Sequence, residues 1–545
     1  MASLTPMQGA LGHRHAAHLL RRTSYRYTKA KVDEMAGQTA AQALATLLQL
    51  YPQKLTQPIY YDGSTAVTWV NPPGGTLPAQ DSALRAWVGN WWISEALQDP
   101  GIGYKMTFFL HQHNIVDLLA YATTHFCDYL ALLRWGSLGN FKKFAAKLIT
   151  DNCMLRYLNN TENSKNNPNE NFAREFFELF TIGKGPQIGP GDYTNYTEDD
   201  IVQAAKLLTG FRIRGQRNEV DPETMIPRGG VNFAQHDVTA KTFSAAFQGT
   251  TIQGAANADG MWTELSAFVD MIFAQPETAK NFCRRLYHFF VSRNITAEIE
   301  SDIITPLANT MIAGNFEIKP VLEQLLQSQH FFDMDDSDNA DEIIGGLIKS
   351  PLELSLQAIS FYGLPLPDPM TQSAVYFQFY TRGVAQRMFE QASLPLFYPN
   401  DVAGYPAYYQ MPDYNRQWFN SSTIVARYKL PAMLLSGKLT IGGSPNQPLG
   451  VKLDIATWVK TSGVISDATD PYVLVQDLLQ YFLPEQTDND RFNYFYITIF
   501  LDNLPPADWT YEWQNYLNTG TDTEVKIPLE RLINAIMYSP EYQLF

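Results

Sequence analysis

The pattern of apolar and polar residues along the chain predicts a mostly helical protein. Apolar residues recur three and four positions apart over most of the sequence, for example in residues 16–48 and 141–158. This spacing is typical of α-helices that bury one face. Similar patterns cover residues 261–291 and 299–332 and continue towards the end. We therefore expect an all-α fold, a large multi-helical body formed by residues 1–545 as one continuous domain.

Two stretches differ from this helical pattern. Residues 211–255 contain alternating and glycine-rich pieces, which predict a small β-hairpin insertion. Residues 394–418 are rich in proline and aromatic residues and predict a long loop. The insertion divides the body into an N-terminal helical part, residues 1–210, and a C-terminal helical part, residues 256–545.

Composition and charge narrow the classes of function. Hydrophobic residues make up 45% of the 545 residues, enough for a large core, and charged residues make up only 17%. The net charge of −15 and the lack of a Lys/Arg run argue against nucleic-acid binding. No stretch approaches the length of a membrane span. The N-terminal residues lack the pattern of a signal peptide, which predicts a cytoplasmic protein.

Two further features are assigned ordinary structural roles. Three cysteines, an odd number with no CxxC pair, predict buried free thiols rather than a disulfide framework. Residues 333–342, DMDDSDNADE, alternate acidic and polar positions like a calcium loop but lack its central glycine and final glutamate. We interpret this run as a solvated linker.

The most informative segment is an acidic helix that begins near Asn167. Asn167 is a suitable N-cap and Pro168 suits the first helical position, which places Glu170 at the third. Gly183 and Gly185 predict the end of this helix.

Four charged residues lie within this apolar helical pattern, and two interpretations remain open. Glu175 and Glu178 share a face, and Arg174 is four residues from both Glu170 and Glu178. In the first interpretation, Arg174 bridges Glu170 and Glu178 in a structural ion network. Alternatively, Glu175 and Glu178 hold a metal ion or act as acid and base, and Arg174 keeps them in place.

His111 and His113 are candidate metal ligands that would face the carboxylates Glu175 and Glu178. Helical bundles build metal sites from carboxylates and histidines on neighbouring helices. However, residues two apart on a helix point about 200° away from each other, so both histidines would face one ion only if the helix broke. The alternative is that one histidine forms a hydrogen bond in the core and the other faces a neighbouring loop.

A third candidate lies in the predicted insertion. His236 is followed by Asp237 and, four residues further on, by Lys241. A histidine with a neighbouring acid and base could polarise a substrate, which makes His236 a candidate catalytic residue. The alternative is a turn-stabilising aspartate with a surface lysine.

The aromatic loop supplies candidate substrate-binding residues, among them Tyr398, Tyr405 and Trp418. Exposed aromatic rings form stacking platforms for sugars or peptides. The same residues would serve equally well as a rigid clamp that packs one helical layer on another.

Eight segments in this order resemble one family, the bacterial domain-of-unknown-function family 1800. They are AAHLLRRTSY (16–25), MTFFLHQHN (106–114), NENFAREFFELFTIG (169–183), YTEDDIVQAAKLLTGF (196–211), HDVTAKTF (236–243), KSPLELSLQAI (349–359), LFYPNDVAGYP (396–406) and SPEYQL (539–544). The chain departs from the family pattern in having Ser24-Tyr25-Arg26 for Gly-Phe-Gly and Gly404-Tyr405-Pro406 for Gly-Trp-Pro.

The resemblance implies a mostly helical bacterial protein but no particular activity. Such proteins are often exported, so a periplasmic or extracellular location is the alternative to a cytoplasmic one. Their genes often lie beside those of domain-of-unknown-function family 1501, and a member of that family is therefore the expected partner.

Two functions follow as hypotheses. The first is a hydrolytic enzyme in which a divalent metal, held by carboxylates and histidines between helices, activates water against a polymeric or glycan-like substrate. The sequence has no G-x-S-x-G elbow, Walker loop, Rossmann fingerprint or H-E-x-x-H motif, which weakens other enzyme classes. The second is a non-catalytic scaffold or assembly protein that binds a partner protein through its aromatic surface.

Overall fold

A computed structural model describes residues 2–51, 55–70, 76–335, 343–441 and 444–545. The fold is all-α with small β-hairpins, as predicted. The α-helices are α1 (Gly12–Thr23), α2 (Lys29–Ala36), α3 (Ala40–Leu47), α4 (Asp81–Gln98), α5 (Gly103–His113), α6 (Thr123–Gly136), α7 (Phe141–Leu148), α8 (Asn152–Tyr157), α9 (Glu170–Glu175), α10 (Glu198–Leu207), α11 (Ala258–Phe273), α12 (Pro276–Phe290), α13 (Ala297–Ile299), α14 (Thr305–Ala313), α15 (Ile318–Leu326), α16 (Pro351–Phe361), α17 (Ser373–Phe377), α18 (Pro406–Tyr409), α19 (Thr423–Tyr428), α20 (Leu430–Ser436), α21 (Ile455–Thr461), α22 (Pro471–Phe482), α23 (Asn489–Asn493), α24 (Pro506–Thr519) and α25 (Thr523–Tyr538).

Local capping explains where several helices begin. Thr197 caps α10 and forms a capping box with Asp200, as the sequence predicts. The acidic helix α9 begins later than predicted, because Asn169 rather than Asn167 accepts the capping hydrogen bond, from the backbone N–H of Asn171. Glu170 is therefore the first helical residue and not the third.

In the described part of the chain, the strands form four separate antiparallel pairs of two strands each. They are β1 (Ile59–Tyr61) with β2 (Ala66–Thr68), β3 (Phe211–Arg212) with β4 (Gly230–Val231), β5 (Lys241–Thr242) with β6 (Thr251–Ile252), and β7 (Lys438–Ile441) with β8 (Ser444–Pro448). The predicted insertion therefore holds two strand pairs instead of one hairpin. Two further pairs form outside it, where turn residues let short segments fold back on themselves.

The predicted long loop of residues 394–418 is more structured than expected. It contains the short helix α18 and a 3₁₀ turn, Tyr414–Trp418. Pro406 at the first position of α18 fixes a helical φ angle and thereby favours this turn of helix. The segment still connects distant parts of the chain, since Leu118 donates its backbone N–H to the carbonyl oxygen of Phe397.

One cluster of buried apolar side chains runs from Met7 to Tyr542. Trp92 of α4 is completely buried and contacts Tyr104, Phe108 and Phe397, which come from α5 and the aromatic loop. Residues far apart in sequence therefore share one core.

Buried charges join helices inside this core. Lys105 of α5 pairs with Glu353 of α16, and both side chains are at most 3% exposed. Glu353 also completes the capping box of Ser350, because its second carboxylate oxygen accepts the Ser350 backbone N–H. Two of the segments that resemble family 1800, residues 349–359 and 539–544, thus meet here, since the side chain of Lys349 donates to the carbonyl oxygen of Tyr542.

Other sequence interpretations can be placed in the fold. Cys127, Cys153 and Cys283 are buried and free, as predicted. Of the acidic run, Asp333 accepts the backbone N–H groups of Ile343 and Ile344, whereas residues 336–342 lie outside the described residues. Within the described ranges, no helix is both long enough and apolar enough to cross a membrane.

Candidate functional site

The candidate site lies on the acidic helix α9 and the turn of π-helix that follows it, Phe176–Phe180. A π-turn inserted in a helix is often found at functional sites. It is accompanied here by a hydrogen bond from the Thr181 hydroxyl to the carbonyl oxygen of Phe176, five residues earlier. Glu175 precedes this turn directly and Glu178 lies within it.

We expected Arg174 to bridge Glu170 and Glu178, but it contacts only Glu170 of these two. Its guanidinium donates to both carboxylate oxygens of Glu198, at 2.7 and 2.8 Å, and to Glu170 at 3.2 Å. Glu198 opens α10, which packs beside α9, and so it takes the place predicted for Glu178. A bidentate pair of this kind fixes the arrangement of two helices more strictly than a single contact.

Glu178 is instead paired with Lys184, from the loop after the helix. Its carboxylate also accepts a hydrogen bond of 3.4 Å from the hydroxyl of Tyr196. The side chain is partly exposed, so this negatively charged group can be reached from solvent.

Glu175 differs from the other charged residues of the acidic helix in its partners and in its pKa. It is half-buried, and among the described residues it has no ion pair or hydrogen bond. Burial and the negative charges of Glu178 and Asp401 raise its pKa to about 7, against the opposing charges of Lys184 and Arg174. Near neutral pH, Glu175 is therefore a carboxyl group divided between its acid and its base form.

The acidic site around Glu175 includes two residues that we did not predict, because Asp401 and Tyr157 interact electrostatically with Glu175. Asp401 is exposed in a turn of the aromatic loop and accepts a hydrogen bond of 3.0 Å from the hydroxyl of Tyr409. Burial, with the charges of Asp117, Asp401 and Glu175, raises the pKa of Tyr157 to about 12. Asp401 lies in a segment that carries the family resemblance, and this was the sequence signal that could have identified it. No sequence signal pointed to Tyr157.

This electrostatic arrangement leads to a prediction. Asp401→Asn should lower the pKa of Glu175, because it removes a nearby negative charge, and Lys184→Gln should raise it, because it removes a positive one. The measurement is the carboxyl ¹³C chemical shift of Glu175 as a function of pH. Shifts of the pKa in the same direction in both variants would contradict the described surroundings of Glu175.

The histidines predicted to face these carboxylates lie in other surroundings. Helix α5 continues unbroken to His113, so the two rings do not point at one ion. His111 is completely buried, its Nδ1 is 3.1 Å from the hydroxyl of Tyr129, and burial lowers its pKa to about 3. The Nε2 atom of His113 lies 2.6 Å from the side-chain nitrogen of Gln112.

The predicted metal ligands His111 and His113 thus have different hydrogen-bond partners from Glu175 and Glu178. Among the described residues, no three His, Cys, Asp or Glu side chains are grouped so that they could hold a metal ion. A metal role for these four residues stays a prediction from the sequence.

His236 lies in the interior at 1% exposure. Its Nδ1 is 2.8 Å from the carbonyl oxygen of Thr209 and its Nε2 is 2.8 Å from the carboxylate of Glu264. Lys241 also binds Glu264, at 2.6 Å, and is buried rather than on the surface as the structural alternative assumed. Both ring nitrogens are occupied by protein groups, so we do not include His236 in the candidate site.

The three predicted substrate-binding residues are placed differently. Tyr405 is buried and its hydroxyl donates to the carbonyl oxygen of Pro395 while accepting the backbone N–H of Phe397, which fits the clamp interpretation. Trp418 is 2% exposed and lines a cavity together with His113. Tyr398 is the one of the three that exposes its side chain, at 36%.

No curated protein and no solved structure matches the chain. The family model described as "protein of unknown function (DUF1800)" matches residues 18–544, nearly the whole chain. This agrees with the resemblance carried by the eight sequence segments, and the protein belongs to the DUF1800 family.

Proposed function

We propose that the protein is a hydrolytic enzyme that acts on a polymeric or glycan-like substrate through acid–base catalysis at Glu175. The observation that carries this proposal is the pKa of Glu175, raised to about 7 in a partly exposed site. A carboxyl group with a pKa near the working pH transfers protons efficiently.

The neighbouring groups fit the two roles that hydrolysis needs. Glu175 supplies a proton to the leaving group, and Glu178, which is paired with Lys184, provides the second carboxyl group. Glycoside hydrolysis commonly uses two carboxyl groups held in different protonation states. The proposal rests on proton transfer by these side chains and requires no bound metal.

The substitution Glu175→Gln tests the proposal. It removes the acid while keeping the size of the side chain, and we expect hydrolysis to fall by a factor of about 10²–10⁴. The measurement is the release of reducing ends from a panel of polysaccharides and glycan polymers by the full-length protein. Hydrolysis by the parent should also decline as the pH rises above about 7, because Glu175 then loses its proton.

Glu170→Gln is the matched control on the same helix. Glu170 is partly exposed and bonded to Arg174, which keeps its stronger pair with Glu198, so activity should be unchanged. Equal activity of Glu175→Gln and the parent on a hydrolysed substrate would refute the proposed role of Glu175.

A second candidate is the binding of a partner protein, for which a member of DUF1501 is the proposed partner. One surface favours it: a groove of about 440 Å³ beside α24 and α25, with Leu504, Tyr511 and Ile527 all more than half exposed. Exposed apolar groups of this kind mark interaction sites. Under this alternative, the protein would co-purify with its partner and Glu175→Gln would leave the complex intact.

A further inference from the structure

A small cavity beside the C-terminal end of α5 has a lining that differs from that of the acidic site. Its volume is about 30 Å³, and helix α12 and the 3₁₀ turn Tyr414–Trp418 contribute to its walls. A space of this size holds one or two water molecules or a single small polar group of a ligand.

The lining contains two guanidinium groups, which attract anions, and two imidazoles whose pKa burial lowers. Arg285 and Arg293 line the cavity together with His113 and His288. Arg285 is partly buried and, among the described residues, forms no ion pair or hydrogen bond. The preceding residue, Arg284, is satisfied by two carboxylates. Helix α12 therefore carries one arginine, Arg284, that pairs with carboxylates of the protein. The next one, Arg285, has no such pair among the described residues.

An unpaired guanidinium inside a protein is costly unless something compensates its charge. Burial lowers the pKa of Arg285 to about 10, which still leaves the group charged at neutral pH. An anion in the cavity would supply the missing compensation.

The cavity also contains amide groups without partners. Among the described residues, the buried side-chain oxygen of Gln112 has no hydrogen-bond partner, and neither the oxygen nor the nitrogen of the Asn415 side chain has one. Gln112 is only 2% exposed. Buried polar atoms of native proteins are nearly always satisfied, by protein, water or ligand. These atoms therefore point to a polar group bound in the cavity.

Glu353 is the one acidic side chain among the described residues of the lining, and it does not cancel this positive character. Glu353 reaches the cavity, but its carboxylate is occupied by Lys105 on one oxygen and by Ser350 on the other. The charges that remain without a partner are thus positive.

Aromatic rings shape the rest of the wall. Trp418 and Phe289 line the cavity, and the ring of Tyr414 stacks on that of His288 at 4.5 Å. This stacking fixes the imidazole that faces the space, and the apolar wall keeps bulk water from competing with a bound anion.

We propose that this cavity binds a single oxyanion group, the carboxylate or phosphate of a small ligand, with Arg285 as its principal partner. The site is separate from the acidic site at Glu175 and does not depend on the proposed hydrolysis.

The test is calorimetric titration of the full-length protein with sodium phosphate and, separately, sodium acetate, with sodium chloride at the same ionic strength as the reference. We expect one molecule of at least one probe to bind per chain, and the two probes distinguish a phosphate from a carboxylate site. In Arg285→Gln the dissociation constant should rise about 10- to 100-fold, as expected for loss of a charge-assisted hydrogen bond. Arg156→Gln, a matched change at an exposed ion pair, should bind like the parent.

Thermal unfolding without added anion separates a binding role from a structural one. Arg285→Gln should unfold at the same temperature as the parent or a higher one, because it removes a partly buried charge that has no ion pair among the described residues. Asn415→Asp is a second variant; it adds a negative charge to the cavity and should abolish binding. Failure of both probes to bind the parent, or unchanged binding in both variants, would overturn the proposal.

Discussion

Replacing Lys105 with methionine is expected to lower the free energy of unfolding by about 3–5 kcal/mol. The change removes the cation from the buried pair between α5 and α16 and leaves the carboxylate of Glu353, 3% exposed, with Ser350 as its remaining close partner. An uncompensated charge inside a core is among the most destabilising single changes. Chemical denaturation, followed by tryptophan fluorescence, measures the loss.

The loss in Lys105→Met should become smaller in acid. In the parent, burial raises the pKa of Glu353, but Lys105 and Ser350 outweigh burial and hold it below the usual value. Without Lys105, burial prevails and raises the folded-state pKa above that of the unfolded chain. The folded variant then takes up a proton more readily than the unfolded one, so its stability falls as the pH rises through this range.

Two further variants serve as controls for the predicted loss of stability in Lys105→Met. Lys319→Met, at an exposed pair 4.0 Å from Glu323, should change the stability by no more than about 0.5 kcal/mol. The double variant Lys105→Met with Glu353→Gln should recover part of the loss, because neither charge then remains buried. A loss in Lys105→Met as small as that in Lys319→Met would show that the pair is not buried as described.

Glu264→Gln is expected to cost a similar amount, about 3–5 kcal/mol. The Glu264 carboxylate is surrounded by three donors: Lys241 at 2.6 Å, the ring of His236 at 2.8 Å and the backbone N–H of Ala255 at 2.8 Å. A glutamine must turn its own N–H₂ group towards one of these donors, and it leaves the completely buried Lys241 with Asp237, 3.9 Å away, as its one counter-charge among the described residues.

The variant Glu264→Gln also distinguishes a structural role of His236 from a catalytic one. If His236 acts through its contact with Glu264 as a structural residue, Glu264→Gln lowers the midpoint of denaturation, and folded protein at low temperature keeps its function. Glu323→Gln, at an exposed pair, serves as the matched control. A Glu264→Gln protein as stable as the parent but inactive would instead restore His236 as a catalytic candidate.

Parts of the candidate site could be predicted from the sequence, because they depend on neighbours along one helix. The pairing of Arg174 with Glu170 follows from their separation of four residues, and it is present. The pairing with Glu178 follows from the same rule and is absent, because Glu198 from the next helix offers both carboxylate oxygens. Helical spacing shows which residues are able to meet but not which partner from another element competes for them.

Burial was the property least accessible from the sequence. Lys241 follows Asp237 in a polar, turn-rich segment that is typical of a surface, yet it is completely buried against Glu264. Glu264 lies on α11, more than twenty residues away, in a segment that gave no sign of such a partner. Because a buried charge persists only when a counter-charge is present, its location depends on tertiary packing.

What the sequence determined by itself is the helical nature of the chain, its family and the acidic helix with Glu175 and Glu178. These depend on periodicity, on capping residues and on ordered motifs, all of which act over a few neighbouring positions. The tertiary structure alone decided that Asp401 and Tyr157 interact electrostatically with Glu175, and that Arg285, which has no ion pair among the described residues, lines a cavity. Electrostatic surroundings are set by groups that approach through space, and the distances between them are fixed only once the helices have packed.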